Sequence, residues 1–179
     1  MKNNARVVVI GGGVVGVSTL YHLVKKGWTD CVLIERKELT SGSTWHAAGL
    51  LPLFNMSYSV GQIHKYSVDL YGRLEEETGQ YAGLSRVSNI RLATTQDRMD
   101  EYKQYAGVAQ TIGVQVDILT PDEVVDIWPL AVKDNLIGAI RHPMDGYIQP
   151  ADLTQALAKG ARDIGGQIYR NTNVTAITR

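Results

Sequence analysis

The first part of the chain alternates between continuous apolar runs and amphipathic stretches. One apolar run ends at Ile10, and a second, Cys31-Val-Leu-Ile, ends just before Glu35. Between them, apolar residues recur at helical spacing, and Gly27 stands where a helix C-cap is expected. Continuous apolar runs are typical of strands that are buried on both faces of a parallel sheet. The pattern therefore predicts a β-α-β unit whose first strand lies in the centre of a sheet.

The same alternation continues to the end of the chain. We expect a helix that ends at Gly79, strands at 87–95 and 114–119, and between them a helix over 97–112 stopped by Gly113. Thr120 and Glu123 form the pattern of a capping box and predict the start of a short helix. Further on we expect strands at 136–142 and 146–149, a helix after Pro150 closed by Gly165-Gly166, and strands at 167–170 and 173–177. The order of elements predicts the α/β fold class.

Composition narrows the function classes. Eighteen basic and eighteen acidic residues give zero formal net charge, which argues against nucleic-acid partners and anionic membrane surfaces. The apolar runs are far shorter than the ~20 residues of a membrane span, and no signal peptide precedes the first strand. We therefore expect a cytoplasmic protein. The lone Cys31 excludes a disulfide framework, and His22, His64 and His142 lack metal-ligand spacing, so no metal is expected.

Glycines at the end of the first strand carry the main chemical signal. Gly11-x-Gly13-x-x-Gly16 follows a predicted strand and opens a predicted helix, and Glu35 lies about twenty residues further on. In this fingerprint the glycines allow a tight turn, the approach of a pyrophosphate and close helix packing, while the acid binds ribose hydroxyls. An acid there disfavours a 2'-phosphate. The sequence predicts FAD or NAD as cofactor, the alternative being a glycine-rich turn without a ligand.

The residues after Glu35 distinguish flavin from nicotinamide. They read Arg36-Lys-Glu-Leu-Thr-Ser-Gly-Ser-Thr-Trp-His-Ala-Ala-Gly49, and we call residues 39–49 the flavin loop. Together with Gly-Gly-Gly-Val-Val-Gly and Glu-Arg, this segment resembles the D-amino-acid oxidase (DAO) superfamily, most closely its dimethylglycine and sarcosine dehydrogenase branch. Residues 90–95 and 145–150 fit as well, so the resemblance covers nearly the whole chain. A NAD-dependent dehydrogenase would leave the Trp45-His46 segment unexplained.

The resemblance implies a fold and a domain layout. The fold is a Rossmann-like, glutathione-reductase-type FAD-binding domain with the start of an interleaved α+β substrate domain. Residues 1–179 would form a truncated FAD-dependent oxidoreductase domain. Within it, 1–50 would hold the β-α-β unit and flavin loop, ~85–148 a segment of the substrate domain, and ~149–179 the return to the FAD domain. Family members are several hundred residues long, so the chain is expected to be an N-terminal fragment with an incomplete pocket.

The resemblance also implies roles for individual residues. In this branch the motif histidine, here His46, is bonded to the 8α carbon of the isoalloxazine ring, and a neutral imidazole is a competent nucleophile. The alternative is a histidine that packs near a noncovalent flavin. The other cofactor residues that the resemblance and the fingerprint imply are Gly11, Gly13, Val14, Val15, Gly16, Glu35, Arg36, Ser43, Thr44 and the main chain of Val174. Arg36 could equally be a solvated charge, and Val174 is expected in the core whether or not adenine contacts it.

The implied activity is that of an FAD-dependent amine dehydrogenase or oxidase acting on CH–NH donors. The substrate would be an N-methylated amino acid such as dimethylglycine or sarcosine, oxidised at its C–N bond by hydride transfer to the flavin with release of formaldehyde or a one-carbon unit. An electron-transfer flavoprotein or oxygen would accept the electrons, and folate could join through a C-terminal domain. Arg91 is a candidate for the substrate carboxylate, although a strand arginine is more often a surface residue. A non-catalytic FAD-binding fragment is the alternative function.

Overall fold

Two units divide the chain, and each is assembled from segments that are distant in sequence. The computed structural model describes residues 3–178; predictions that involve Met1, Lys2 or Arg179, such as the start of the chain, lie outside them. The first unit contains the residues up to Gly49, Tyr71–Leu84 and the residues from Ile148 onward. The second contains Leu50–Leu70 and Ser85–Tyr147. No helix within residues 3–178 is long and apolar enough to span a lipid bilayer.

A parallel sheet forms the framework of the first unit. Its strands are β1 (Val7–Ile10), β2 (Cys31–Ile34) and β9 (Gln167–Tyr169), in the order β1-β2-β9, with Val9 opposite Leu33 and Leu33 opposite Ile168. Helix α1 (Val14–Lys25) connects β1 to β2 and packs against α5 (Pro150–Asp163). The predicted β-α-β unit is therefore present, and the α/β class is confirmed.

The position of β1 differs from the prediction. Among the described residues β1 is an edge strand, and Val8 and Ile10 are 48% and 54% exposed. An apolar run shows that a strand can be buried on both faces but does not show which elements cover them. The predicted strand at 173–177 does not form either. Residues 172–178 are irregular, and the Thr172 N–H donates to the carbonyl oxygen of Glu35 at 2.9 Å.

Helices α1 and α5 meet across a small residue. A Cβ at Gly160 would lie 2.9 Å from the Tyr21 ring and 2.8 Å from Cγ2 of Thr78, so the close approach requires glycine. Leu20 and Leu157 are fully buried at this contact between the helices. The packing density of protein interiors leaves no room for an added methyl at such a point. Gly160 therefore sets the distance between the two helices.

Helix α2 (Tyr58–Thr78) contributes residues 58–70 to the second unit and 71–78 to the first, and it ends at the left-handed Gly79. At its C-terminal end Glu77 accepts hydrogen bonds from Tyr21 Oη at 2.5 Å, Lys25 Nζ at 2.6 Å and Arg73 Nε at 2.7 Å. The hydrogen bonds from Lys25, Tyr21 and Arg73 lower the pKa of Glu77 to about 2. This network joins α1 to the end of α2.

The second unit is built on an antiparallel sheet. Strands β5 (Asn89–Ala93), β6 (Asp117–Leu119) and β7 (Gly138–His142) have the order β5-β7-β6, and helices α3 (Gln96–Ile112) and α4 (Pro121–Ile127) pack on them. The Thr120–Glu123 capping box of α4 is confirmed. Short strands β3 (Leu50–Leu51), β4 (Leu84–Arg86) and β8 (Gly146–Ile148) form another sheet in the order β3-β8-β4. The predicted strand at 114–119 is shortened because the Val114 N–H donates to the Ala109 carbonyl at 2.9 Å and closes α3.

Polar side chains whose burial no sequence pattern predicted lie inside the second unit. His142 is fully buried, and neither of its ring nitrogens has a hydrogen-bond partner among the described residues. Asp145 is 1% exposed; its Oδ1 accepts the Leu53 N–H at 2.9 Å, whereas Oδ2 has no described partner. The guanidinium of Arg91 lies 4.5 Å from the centre of the Phe54 ring. We call the group formed by His142, Asp145 and Arg91, with their partners Leu53 and Phe54, the buried polar cluster.

Burial shifts the pKa values of His142 and Asp145, two titrating groups of the buried polar cluster, in opposite directions. It lowers the pKa of His142 to about 4, with a smaller effect in the same direction from Arg91. It raises the pKa of Asp145 to about 6, opposed by the Leu53 hydrogen bond and by Arg91. Each shift reflects the cost of holding a charge away from water.

The Glu77 network predicts a pH-dependent contribution to stability. Because the pKa of Glu77 is lower in the folded protein than in the unfolded chain, its contribution is complete above pH 4.5 and is lost as the pH falls toward 2. We expect Glu77→Gln to lower the free energy of unfolding at pH 7 by about 1–2 kcal/mol, since the partly exposed partners are screened. Urea unfolding of full-length protein measures this, with Glu76→Gln on the same helix as control. An equal loss at pH 7 and pH 3 would contradict the prediction.

The buried polar cluster predicts opposing pH effects that single substitutions separate. The folded state holds the Asp145 proton more tightly than the unfolded chain, so this group makes stability fall as pH rises from 3.8 to 6. His142 does the reverse between pH 4 and 6.5. We expect a nearly flat wild-type profile between pH 4 and 6, a rising one for Asp145→Asn and a falling one for His142→Gln, each by up to about 1 kcal/mol per pH unit. Parallel profiles for all three proteins in urea unfolding would refute this.

Candidate functional site

The turn between β1 and α1 can be made only with glycine at two positions. Gly11 has a φ of 111°, a conformation that side-chain-bearing residues rarely adopt. A Cβ at Gly16 would lie 2.0 Å from the carbonyl oxygen of Gly11, so any other residue would push α1 away from the turn. Gly13 is the N-cap of α1, and no acidic side chain occupies the first turn. The N-terminus of α1 therefore presents amides and the positive end of the helix dipole to an anion.

Glu35 stands at the end of β2 and faces the glycine turn. Its Oε2 accepts the Gly12 N–H at 2.6 Å, and its Oε1 accepts the Lys37 N–H at 2.8 Å. A Cβ at Gly12 would lie 2.7 Å from Leu39 Cδ2 and 2.9 Å from Glu35 Cβ, so this position also needs glycine. Each carboxylate oxygen keeps a further lone pair. Glu35 can therefore accept two ribose hydroxyls while it holds the turn.

An open cleft surrounds these groups in the first unit. One part has a volume of about 320 Å³, and an adjoining part of about 270 Å³ shares Gly11, Glu35 and Arg36 with it. The cleft brings together most of the predicted cofactor residues: Gly11, Gly13, Val14, Val15, Glu35, Arg36, Ser43, Thr44 and Val174. Gly16 lies behind the turn and acts through packing. A helix N-terminus beside an acidic strand end fits the pyrophosphate and ribose of a dinucleotide such as FAD.

Two hydrogen bonds hold the flavin loop in place, one to the glycine turn and one to the first residue of α1. The Thr40 N–H donates to the Gly12 carbonyl at 3.0 Å, and the Val14 N–H donates to Thr44 Oγ1 at 3.0 Å. Residues Ser43–His46 form a 3₁₀ turn, and His46 at its end is exposed. At the end of the loop a Cβ on Gly49 would lie 2.0 Å from the Ile148 carbonyl oxygen. His46 therefore sits on a loop that is held on both sides.

Arg91 belongs to the second unit. It is half-buried on β5, stacks on Phe54, and its Nε has no hydrogen-bond partner among residues 3–178. Its buried neighbours His142 and Asp145 were not predicted as a site, because their burial depends on residues that are distant in sequence. The sequence analysis named Thr44 only as a cofactor residue, and the structure shows that its hydroxyl accepts the N–H of Val14, the first residue of α1. In the described part of the chain no group of three or more His, Cys, Asp or Glu side chains could hold a metal ion.

Comparisons with known proteins agree with this geometry. The rat (Rattus norvegicus) dimethylglycine dehydrogenase, mitochondrial, is 44% identical over 98% of the chain, which is 20% of that protein. The 4-methylaminobutanoate oxidase (formaldehyde-forming) of Paenarthrobacter nicotinovorans is 38% identical over 100% of the chain and 22% of its own length. The crystal structure of L-proline dehydrogenase from P. horikoshii superposes with a TM-score of 0.90 at 27% identity, over 99% of this chain and 47% of that one.

The chain thus spans about a fifth of the length of these two curated relatives. The sequence model of the family described as "FAD dependent oxidoreductase" (DAO) matches residues 6–179. Glycine turn, acidic strand end and flavin loop lie within this match, which confirms the resemblance drawn from the motifs. The chain belongs to the FAD-dependent oxidoreductase family, DAO.

Proposed function

We propose that this chain forms part of a flavoenzyme that oxidises the C–N bond of an N-methylated amino acid resembling dimethylglycine or sarcosine. The observation that carries the proposal is the cleft in which the N-terminus of α1, the Glu35 carboxylate and the flavin loop meet. The names of relatives that act on dimethylglycine and 4-methylaminobutanoate support the substrate class. When bound, FAD would supply the hydride acceptor for oxidation of the N-methyl carbon, and water would hydrolyse the resulting imine to the demethylated amine and formaldehyde.

The residues of the first unit have separate tasks in this proposal. Gly11 and Gly13 let the backbone approach the pyrophosphate, and the amides of Val14 and Val15 lie at the positive end of α1. Glu35 accepts the ribose hydroxyls. Arg36 and the main chain of Val174 border the part of the cleft that would hold the adenosine, while Ser43 and Thr44 border the part near the phosphates.

His46 is proposed as the covalent attachment point. Its side chain is exposed at the end of the 3₁₀ turn, on the loop that Thr40, Thr44 and Gly49 fasten to the rest of the unit. A neutral imidazole nitrogen is a competent nucleophile. Attachment would exchange one C–H bond of the 8α methyl group and the imidazole N–H bond for a C–N bond. The two electrons and two protons released would pass to dioxygen, which would be reduced to hydrogen peroxide. The small residues Ala47, Ala48 and Gly49 leave space beside the imidazole for a planar ring.

Residues ~85–148, which make up most of the second unit, are proposed to be a segment of the substrate domain, with ~149–179 returning to the FAD domain. Arg91 remains our candidate for the substrate carboxylate because guanidinium groups bind carboxylates through two parallel hydrogen bonds. Its Nε is buried and has no hydrogen-bond partner among the described residues.

Three further proposals rest on the sequence and the resemblance. Either an electron-transfer flavoprotein or dioxygen accepts the electrons. Folate takes the one-carbon unit through a region outside this chain. The protein acts in the cytoplasm. A second function, a flavin-binding module without catalysis, is distinguished by an amine assay of the full-length protein: bound flavin without turnover of any N-methylated amino acid would favour it.

The His46 tether predicts flavin that survives denaturation. Acid-precipitated full-length wild type should give a fluorescent band on denaturing electrophoresis and an intact mass increased by one FAD. His46→Ala should lose both and keep noncovalent, yellow flavin, because the cleft of the first unit is unchanged. His22→Ala, on α1 and outside the cleft, is the matched control and should behave like wild type. A wild type that releases all of its flavin on precipitation would remove His46 from this role.

The Glu35 carboxylate predicts a loss of cofactor affinity on truncation. In the His46→Ala background, where binding is reversible, Glu35→Ala should weaken FAD binding about 10- to 100-fold, because it removes a charged acceptor for ribose and frees the Gly12 amide. Isothermal titration of the flavin-free protein with FAD measures the change. Glu76→Ala on α2 is the control. Unchanged FAD affinity, or a colourless protein that binds NAD instead, would contradict the assignment.

A further inference from the structure

One side chain of the flavin loop reaches into the glycine turn. Thr44 is 8% exposed, and its Oγ1 accepts the backbone N–H of Val14, thirty residues earlier, at 3.0 Å. The same oxygen lies 3.0 Å from the position that a Cβ would occupy on Gly13. A side chain at position 13 would therefore crowd the Thr44 hydroxyl, which lies directly at the first residue of α1.

This contact caps α1 from a distant part of the chain. The first N–H groups of a helix have no partner within the helix, and a side chain at the N-cap usually supplies one. Gly13 has no side chain to do so. Thr44 supplies the acceptor instead, so the capping bond of α1 is at the same time a bond between the helix and the flavin loop. Because a hydroxyl can accept and donate together, its own O–H remains free to donate into the cleft that it borders.

The residues that follow Thr44 leave His46 little freedom. The Trp45 N–H donates to the Gly42 carbonyl at 3.2 Å, and the Ala47 N–H donates to the Thr44 carbonyl at 3.3 Å. These bonds close the 3₁₀ turn on which His46 stands two residues after Thr44. Further back, Thr40 donates to Gly12 at 3.0 Å with a left-handed φ of 71°. The turn is thus fixed to α1 by one side chain and to the glycine turn by one backbone bond.

We propose that Thr44 is a positioning residue for covalent flavin attachment: its hydroxyl ties the flavin loop to the first turn of α1 and so sets where His46 meets the ring. The inference rests on the proposed tether at His46. Small displacements of a reacting group cost large factors in rate, so a loop released from α1 should attach flavin more slowly. Thr44 itself takes no part in making the bond, and its effect is expected on the rate of attachment more than on the yield at long times.

The test uses full-length protein from riboflavin-starved cells, mixed with FAD and sampled over time for the fluorescent band after acid precipitation. Thr44→Val should slow attachment about tenfold or more, because it removes one hydrogen bond and the placement that depends on it. Thr44→Ser should restore the rate to within about threefold, since it keeps the hydroxyl. Thr111→Val is the matched control, because the exposed Thr111 hydroxyl donates to the Val108 carbonyl on α3 of the second unit. It should match wild type.

Hydrogen–deuterium exchange at the Val14 amide is the second readout. Thr44→Val should accelerate this exchange, and Thr44→Ser should not. A Thr44→Val protein that attaches flavin as fast as wild type would overturn the positioning role, whatever its exchange rate. Should Thr44→Val fail to fold, Thr44→Ala and Thr44→Ser are compared in the same two measurements with the same expectations. A wild type without covalent flavin would overturn the tether and the positioning role together, a result clearly different from equal rates in wild type and Thr44→Val.

Discussion

The contact between Gly16 and the carbonyl oxygen of Gly11 is the constraint on which the first unit depends. With 2.0 Å between that oxygen and a Cβ at Gly16, only glycine allows α1 to start so close to the end of β1. The close start aims the first amides of α1 at the cleft and brings Gly12 within 2.6 Å of the Glu35 carboxylate. A longer turn would separate the helix end from the acid. The proposed pyrophosphate site and the proposed ribose site therefore both depend on one steric requirement.

Local signals made much of this fold predictable. Gly27, Gly79, Gly113 and Gly165 all have positive φ and stand at the ends of predicted helices, and the Thr120–Glu123 capping box forms as its spacing indicates. The features that were not predictable depend on which other elements cover or pair with a strand. An apolar run near Ile10 does not reveal whether its second face is covered, and residues 173–177 match a strand pattern yet have no pairing strand among the described residues. A strand pattern shows that a segment can be buried and paired, but the tertiary structure decides whether it is.

The candidate site was predictable to a similar depth. The glycine fingerprint and Glu35 follow the two strands of one β-α-β unit, so this unit alone brings them together in one cleft. The Thr44 hydroxyl bonds Val14 across thirty residues, and no spacing rule links a loop threonine to a helix amide at that distance. His142 and Asp145 were missed for the same reason. The properties of His142 come from burial against Phe54 and Tyr105, and those of Asp145 come from its own burial, not from neighbours in sequence.

The distribution of charge around the cleft explains why the two hydrogen bonds that hold the flavin loop join uncharged groups. In the proposed site, a dinucleotide pyrophosphate would bring negative charge to the N-terminus of α1, and the first turn of that helix contains no acidic side chain that would repel it. The acid that the cleft does contain, Glu35, has each carboxylate oxygen bound to a backbone amide, which offsets part of its charge locally. A hydroxyl and a carbonyl oxygen can join the loop to the glycine turn without adding to the charge. A carboxylate in place of Thr44 could cap Val14 equally well, yet it would place a negative charge beside the phosphate site. Threonine at position 44 thus satisfies helix capping and anion binding together. Helix capping alone would also allow an acidic residue, and it is anion binding that excludes one.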